Sequence, residues 1–228
     1  MIAKSQLDRA TIELIDFYLQ GSTWEEAACW MDNVSTNPKY KSFIPCHFVY
    51  FPKDKTYTKT KDENGINKLD YCMRMLQYRK LQSKETMNEI VKLIFHIIGD
   101  LHQPFHCGYP EDKVGFDYKV KFLNKESNLN AVWSDQIISE KKIDMWTCTN
   151  YLVGMNLTKK KREEVEKIDF VAWMLESRAL LPNAYKITNG NIDKKYIDLN
   201  TAVIEEQLIK AGLRLASVLK MAFIEKLN

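Results

Sequence analysis

Apolar residues recur every three or four positions through most of this chain, the spacing of helices with one buried face. Over residues 2–20 the apolar set is Leu7, Ile12, Leu14, Ile15, Phe17 and Tyr18. Gly21 and Ser22 break that run. Thr23 with Glu26 then makes a capping-box pattern, starting a helix that carries Trp30 and Asp32. The same rhythm predicts helices over 68–82, 84–103, 168–187 and 194–227, with mixed helix and loop over 131–156. Alternation is confined to short pieces. Tyr118, Val120 and Phe122 alternate with lysines, and residues 46–51 form an extended apolar run, so a small hairpin or ribbon between the two is expected. Residues 38–45 read as an aromatic loop, and residues 53–67 as a charged mobile insert with Asn64-Gly65 as its turn. The pattern points to an all-α fold class: a single multi-helix domain over residues 1–228 with a small β element.

Composition agrees with that picture. Eight glycines and six prolines in 228 residues are few for a turn-rich β fold. Hydrophobic residues make up 45% and charged residues 28%, which argues against disorder. A net charge of +3 demands no nucleic-acid partner by itself. The run from Lys159 to Arg162, followed by Glu163 and Glu164, reads most simply as a solvated helix face, with a nucleic-acid patch as the alternative. No segment has the eighteen apolar residues that a membrane span needs. Residues 1–9 do not read as a signal peptide, and five cysteines form no Cys-x-x-Cys, so reduced thiols and an intracellular or organellar location are expected.

The chemistry concentrates in one place. His96, Asp100, His102 and His106 lie within eleven residues that also hold Gln103 and Pro104. His96 and Asp100, four apart, share one helix face. The preceding segment, 90–95, is apolar enough to be buried, where an imidazole and a carboxylate are costly unless paired or bound to metal. Pro104 should end the helix and turn His106 back to the same locus. Imidazoles with carboxylates suit zinc best among first-row metals.

Six segments in order carry a resemblance to a known family. Ala28-Cys29-Trp30-Met31-Asp32 resembles a Trp-Ala-Asp segment, and Pro45-Cys46-His47-Phe48 a Trp-His-Tyr segment with Cys46 in place of tryptophan. His96 to His106 resembles the His-x3-Asp…Gln-Pro-x-His core, and Asn128 to Ser134 an Asn-Leu-His-x-x-Trp-Asp motif. Trp173 to Ser177 and Gln207 to Ala216 resemble two later helices. Together they are similar to the zinc-dependent single-strand nucleases of the S1/P1 type, which share a fold with bacterial zinc phospholipase C.

That resemblance implies three zinc sites in a cleft among helices, cutting phosphodiesters to leave 5′-phosphate ends. It places one complete site on Asp32, His47, His96 and Asp100, with Asp100 bridging to a second ion and Asp32 able to orient water. The second site keeps His106, but Asn130 and Ser134 stand where a histidine and an aspartate belong. Amide and hydroxyl oxygens are poor zinc ligands. Asp135 lies about 100° away around a regular helix and could serve only if the helix slipped. The third site, built in the family from an N-terminal tryptophan and a nearby histidine, has no match in these residues, so either the chain is trimmed or that site is gone. Phe116 in Val114-Gly115-Phe116 replaces a base-holding asparagine. The expected cofactor is therefore zinc, one ion at most. The expected function is that of a degenerate nuclease homologue acting as a non-catalytic subunit with protein partners. The alternative is zinc-dependent hydrolysis of single-stranded DNA or RNA using Asp32 and Asp100. Phospholipase C activity would rest on the shared fold alone.

Overall fold

A computed structural model describes residues 1–223 and shows a helical protein with one small sheet. The helices in chain order are α1 (Ile2–Ser5), α2 (Arg9–Leu19), α3 (Trp24–Asn33), α4 (Gly65–Gln77), α5 (Lys84–Asp100), α6 (Leu129–Ala131), α7 (Ile137–Glu140), α8 (Met145–Gly154), α9 (Lys159–Glu166), α10 (Phe170–Arg178), α11 (Leu181–Ala184) and α12 (Lys194–Phe223). A ten-residue 3₁₀ segment, Pro38–His47, lies between α3 and α4. A π-helical turn, Val132–Gln136, joins α6 to α7.

Helix α5 is the central element. Ser83 caps it, its hydroxyl accepting from the Thr86 amide at 3.1 Å. Met87, Ile90, Val91, Leu93, Ile94, Phe95, Ile97 and Ile98 are all buried, so the helix is apolar nearly all round. Each such side chain stabilises the fold by about 1.5–3 kcal/mol on burial. Against α5 pack α2, α3, α4 and α12. The Thr23–Glu26 capping box starts α3, which buries Trp24, Ala27 and Met31. Trp30 is only half-buried and lies 5.0 Å from Tyr40, ring centre to ring centre.

The 30-residue α12 crosses the molecule and packs on α1, α2, α4, α5, α7, α8 and α9. At Gly212 a Cβ would sit 2.6 Å from Ile2 Cβ, so only glycine lets α1 lie this close. The predicted helix over 194–227 is observed as far as Phe223, and residues 224–227 lie outside the described residues.

Several boundaries differ from expectation for physical reasons. The predicted helix over 2–20 is two helices, because Asp8 caps a new start through its carboxylate and the Thr11 amide. Asn64 and Gly65 open α4 rather than close a turn: the Asn64 side chain caps it at the Asn67 amide. The predicted helix over 168–187 breaks after Arg178 and resumes at α11 with Pro182 in its first turn. The segment 53–64 has no regular structure, yet Asn67 ties it to α4 by donating to the Thr60 and Asp62 carbonyls.

The sheet has the order β2-β1-β3, with β1 (Lys119–Phe122) antiparallel to β2 (Lys125–Asn128) and parallel to β3 (Asn191–Ile192). Residues 46–51 take no part in it. Their backbone is committed elsewhere: the Val49 amide donates to the His106 carbonyl at 2.9 Å, and the Phe48 carbonyl accepts from the Gly65 amide at 3.0 Å. Those two bonds attach the His47 segment to the His106 turn and to the start of α4.

Candidate metal centre

Four elements carry the centre. Asp32 comes from the last turn of α3, His47 from the end of the 3₁₀ segment, and His96 and Asp100 from α5. His106 comes from a 3₁₀ turn, Pro104–Cys107. Pro104 does not itself end α5, which stops at Asp100. It opens this next turn, and the Gln103 side-chain oxygen caps it by accepting from the Phe105 and His106 amides. That cap is a physical reason for glutamine before proline here.

The ligand atoms converge. His47 Nδ1 is 2.9 Å from His96 Nε2. Asp100 Oδ2 is 3.0 Å from the first and 3.2 Å from the second. Asp32 Oδ1 is 3.9 Å from both. Asp32, His47 and His96 offer one atom each within 4.8 Å of one another. A tetrahedral zinc with bonds near 2.0–2.1 Å holds its ligands about 3.3 Å apart, and these separations bracket that value. The two imidazoles and the Asp32 carboxylate therefore suit zinc, with the Asp100 carboxylate within 3.2 Å of both imidazoles.

The outer contacts orient the inner ones. His96 Nδ1–H donates to the Ala28 carbonyl at 2.6 Å, which fixes Nε2 toward the cluster. His106 Nδ1 faces the His47 carbonyl at 3.0 Å and Asp100 Oδ1 at 3.1 Å, so its Nε2 is the nitrogen left for a ligand. Asp100 thus holds three imidazoles at once. Burial pushes the His96 pKa down, but the Asp100 carboxylate outweighs it and the net result is a rise to about 8. Burial also opposes ionisation of Asp100, yet His106 and His96 hold its pKa well below the usual carboxylate range. Asp32 differs from the others: its side chain is 70% exposed and leaves a carboxylate open to the cleft.

The positions expected for a second ion are occupied by a hydrogen-bonded chain. Gln103 Nε2 donates to Ser134 Oγ at 2.8 Å, Ser134 Oγ donates to Asn130 Oδ1 at 3.2 Å, and Asn130 Nδ2 donates to the Val114 carbonyl at 3.1 Å. The helix does slip here, as the π-turn at Val132–Gln136 shows, but it does not bring Asp135 inward. Ser134 lines the cleft, while Asp135 is exposed and accepts from Ser139 at 2.9 Å. Gly115 has φ +88°, and a Cβ there would stand 2.5 Å from the Phe105 ring; this turn places Phe116 in the cleft wall.

His102, the fourth residue of that sequence cluster, bonds away from the ligand atoms. Its Nδ1–H donates to the Ile98 carbonyl at 2.6 Å, and its Nε2 accepts from Arg214 at 2.8 Å. Burial, with Arg214 adding to it, lowers its pKa to about 3. Arg214 pairs with Glu176.

The cluster lies in a cleft of about 750 Å³. Sequence reasoning missed the far wall, formed by Ile204, Gln207, Leu208 and Ala211 of α12. The signal was present: these four share one helix face by their three- and four-residue spacing, and Gln207 is the polar member.

The fold and the cluster define a class: a helical protein with a zinc-type ligand set at the floor of a cleft. The match to the S1/P1 nuclease family runs over residues 1–224, and the chain belongs to that family. It is 26% identical to Endonuclease 2 of Arabidopsis thaliana, over 97% of this chain and 87% of that protein. It is 25% identical to Endonuclease 3 of the same organism, over 99% of this chain and 86% of that one. S1/P1 nucleases depend on zinc, and a nucleic acid substrate fits the family.

Proposed function

We propose that this chain is a reduced member of its family: it holds one zinc ion on Asp32, His47, His96 and Asp100 and acts as a binding or assembly subunit, not as an efficient nuclease. The observation that carries this reading is the Gln103–Ser134–Asn130–Val114 chain, which spends the second site's side chains on each other. Zinc, when bound, would polarise a phosphate oxygen. The surrounding residues would fix the imidazoles, through the Ala28 carbonyl and the Asp100 carboxylate, and present Asp32 to the cleft. Loss of a metal that neutralises transition-state charge costs several kcal/mol, so turnover would fall by orders of magnitude. Five free thiols support a reducing, intracellular or organellar setting.

A second reading is residual one-zinc phosphodiester hydrolysis. The exposed Asp32 carboxylate favours it, being placed to accept a proton from water. One experiment separates the two. Metal-stripped protein is reconstituted, its zinc is counted by elemental mass spectrometry, and it is then assayed at high concentration on single-stranded DNA and RNA. One zinc without cleavage supports the first reading. Zinc-dependent cleavage that disappears in Asp100→Asn supports the second. Two or more zinc ions per chain would overturn both.

A further inference from the structure

Residues 145–158 carry no charged side chain, although charged residues make up 28% of the chain. Such a stretch is expected in a core, yet its first ten residues form α8, a helix at the surface. One side of α8 is already covered: Cys148 packs with Ile209 and Leu213 of α12, and Tyr151 and Leu152 lean on the same cluster. The other side faces solvent. Trp146 is 71% exposed and Val153 75%, seven residues apart on one stripe, with Met145 at 51% beside them. Thr149 and Asn150 complete that face. Large apolar side chains gathered in solvent mark an interaction surface.

The rim of this face is basic. Lys142 precedes α8, and Lys160 and Lys161 lie in the first turn of α9. None of the three has an ion-pair partner among the described residues. Nearby carboxylates are mostly committed: Asp144 caps α8 at the Thr147 amide, Glu163 lies 3.9 Å from Lys159, and Glu166 lies 2.7 Å from Arg162. A ten-residue helix is about 15 Å long, too short to cross a bilayer but able to lie along its surface.

We propose that this face of α8 docks the protein on an anionic lipid surface, with Trp146, Val153 and Met145 entering the headgroup boundary and Lys142, Lys160 and Lys161 meeting the lipid phosphates. An indole suits that boundary because its body is apolar and its N–H is polar. A protein partner matches less well, since protein interfaces are depleted in lysine. Single-stranded nucleic acid also matches less well: it stacks on aromatic rings, and Met145 and Val153 have none. The docking face lies on α8 and α9, outside the metal cluster, so the proposal does not rest on the one-zinc reading.

Vesicle flotation tests it. Protein is mixed with vesicles of phosphatidylcholine alone, or of phosphatidylcholine and phosphatidylglycerol in equal parts. Wild type should float with the mixed vesicles, far less with the neutral ones, and less as salt rises. Trp146→Ala should weaken binding by about tenfold through lost apolar contact. Lys142→Gln, Lys160→Gln and Lys161→Gln combined should weaken it by about fivefold per lysine and remove the preference for anionic lipid. These side chains are exposed, so melting temperatures should not change, and Val153→Glu disrupts the same face independently. Brominated phosphatidylcholine should quench Trp146 fluorescence, a signal lost in Trp146→Ala, because the other four tryptophans are buried or half-buried. No flotation, equal binding to both vesicle types, or binding that survives in both Trp146→Ala and Val153→Glu would overturn the proposal. Binding lost in Asp100→Asn would place the lipid phosphate at the metal cluster and overturn it as well. A dimer or a single-stranded DNA complex that needs Trp146, in a protein that ignores vesicles, would give the face to that partner instead.

Discussion

Asp100 carries more of the site than any other residue. Its two oxygens reach His47, His96 and His106 from one carboxylate, and its charge is what lifts the His96 pKa to about 8. Two consequences follow for the metal-free protein. The His96–Asp100 interaction contributes stability that is fully present below the unfolded histidine pKa and is lost as pH rises through about 8. Zinc must also displace the His96 proton, so zinc affinity should climb with pH, by up to tenfold per unit below about 8, and flatten above it. Competition with a chromophoric chelator between pH 6 and 9 measures this directly. In Asp100→Asn the lift is gone, so affinity should fall at every pH and the slope should lessen. A flat profile in wild type would show that His96 is not a ligand. The pairing of His96 with Asp100 is legible in the sequence, since the two are one helical turn apart. The Asp100 contact with His106 is not, because it depends on a turn that a side chain, Gln103, caps.

At the scale of elements, local chemistry decides what can be read in advance. Helix α3 announces itself through its Thr23–Glu26 cap and α5 through its apolar run. The partner of residues 119–122 does not. Residues 46–51 look like a strand, but their backbone bonds go to His106 and Gly65, which are distant in sequence. Arg178 at the end of α10 is a related case of distant contact. Its guanidinium donates to the carbonyls of Phe51, Pro52, Cys107 and Gly108, and it stacks on Phe51 at 3.6 Å. It fastens the loop after His47 to the segment after His106, so it holds two ligand-bearing segments together. Arg178→Met should leave four carbonyls without this donor and lower unfolding stability by about 2–4 kcal/mol in urea titrations. Arg178→Lys should recover only part of that, because an ammonium cannot span four carbonyls in a plane. A change below about 0.5 kcal/mol in the methionine variant would mean that water replaces the guanidinium at no cost.

At the scale of the whole molecule, a cluster of zinc-type ligands and the Gln103–Ser134–Asn130 chain beside it sit on the same scaffold. Asn130 and Ser134 could be singled out in the sequence through the resemblance of residues 128–134 to the family motif. What their sequence could not convey is that they satisfy each other and Gln103, so the scaffold has closed over the difference and carries no unpaired group there. Partner groups that satisfy each other are stable, and on the reduced-member reading proposed above the second site is lost by substitution, not by collapse of the backbone. The π-turn at Val132–Gln136 and the His106 ring, with Nε2 uncommitted, are still in place. Restoring the missing donors should therefore restore the site. In the double variant Asn130→His, Ser134→Asp, zinc content should rise from about one ion per chain toward two, since the two introduced side chains and His106 would then supply nitrogen and carboxylate ligands in place of amide and hydroxyl. Either single substitution should fall short, because each leaves one ligand missing and breaks the Gln103–Ser134–Asn130 chain without completing the set. Elemental analysis of the reconstituted variants reads the stoichiometry, and cleavage of single-stranded DNA reads whether the second ion brings turnover with it. If the double variant still holds one zinc, the backbone itself has moved away from a second site, and the loss lies deeper than the two side chains.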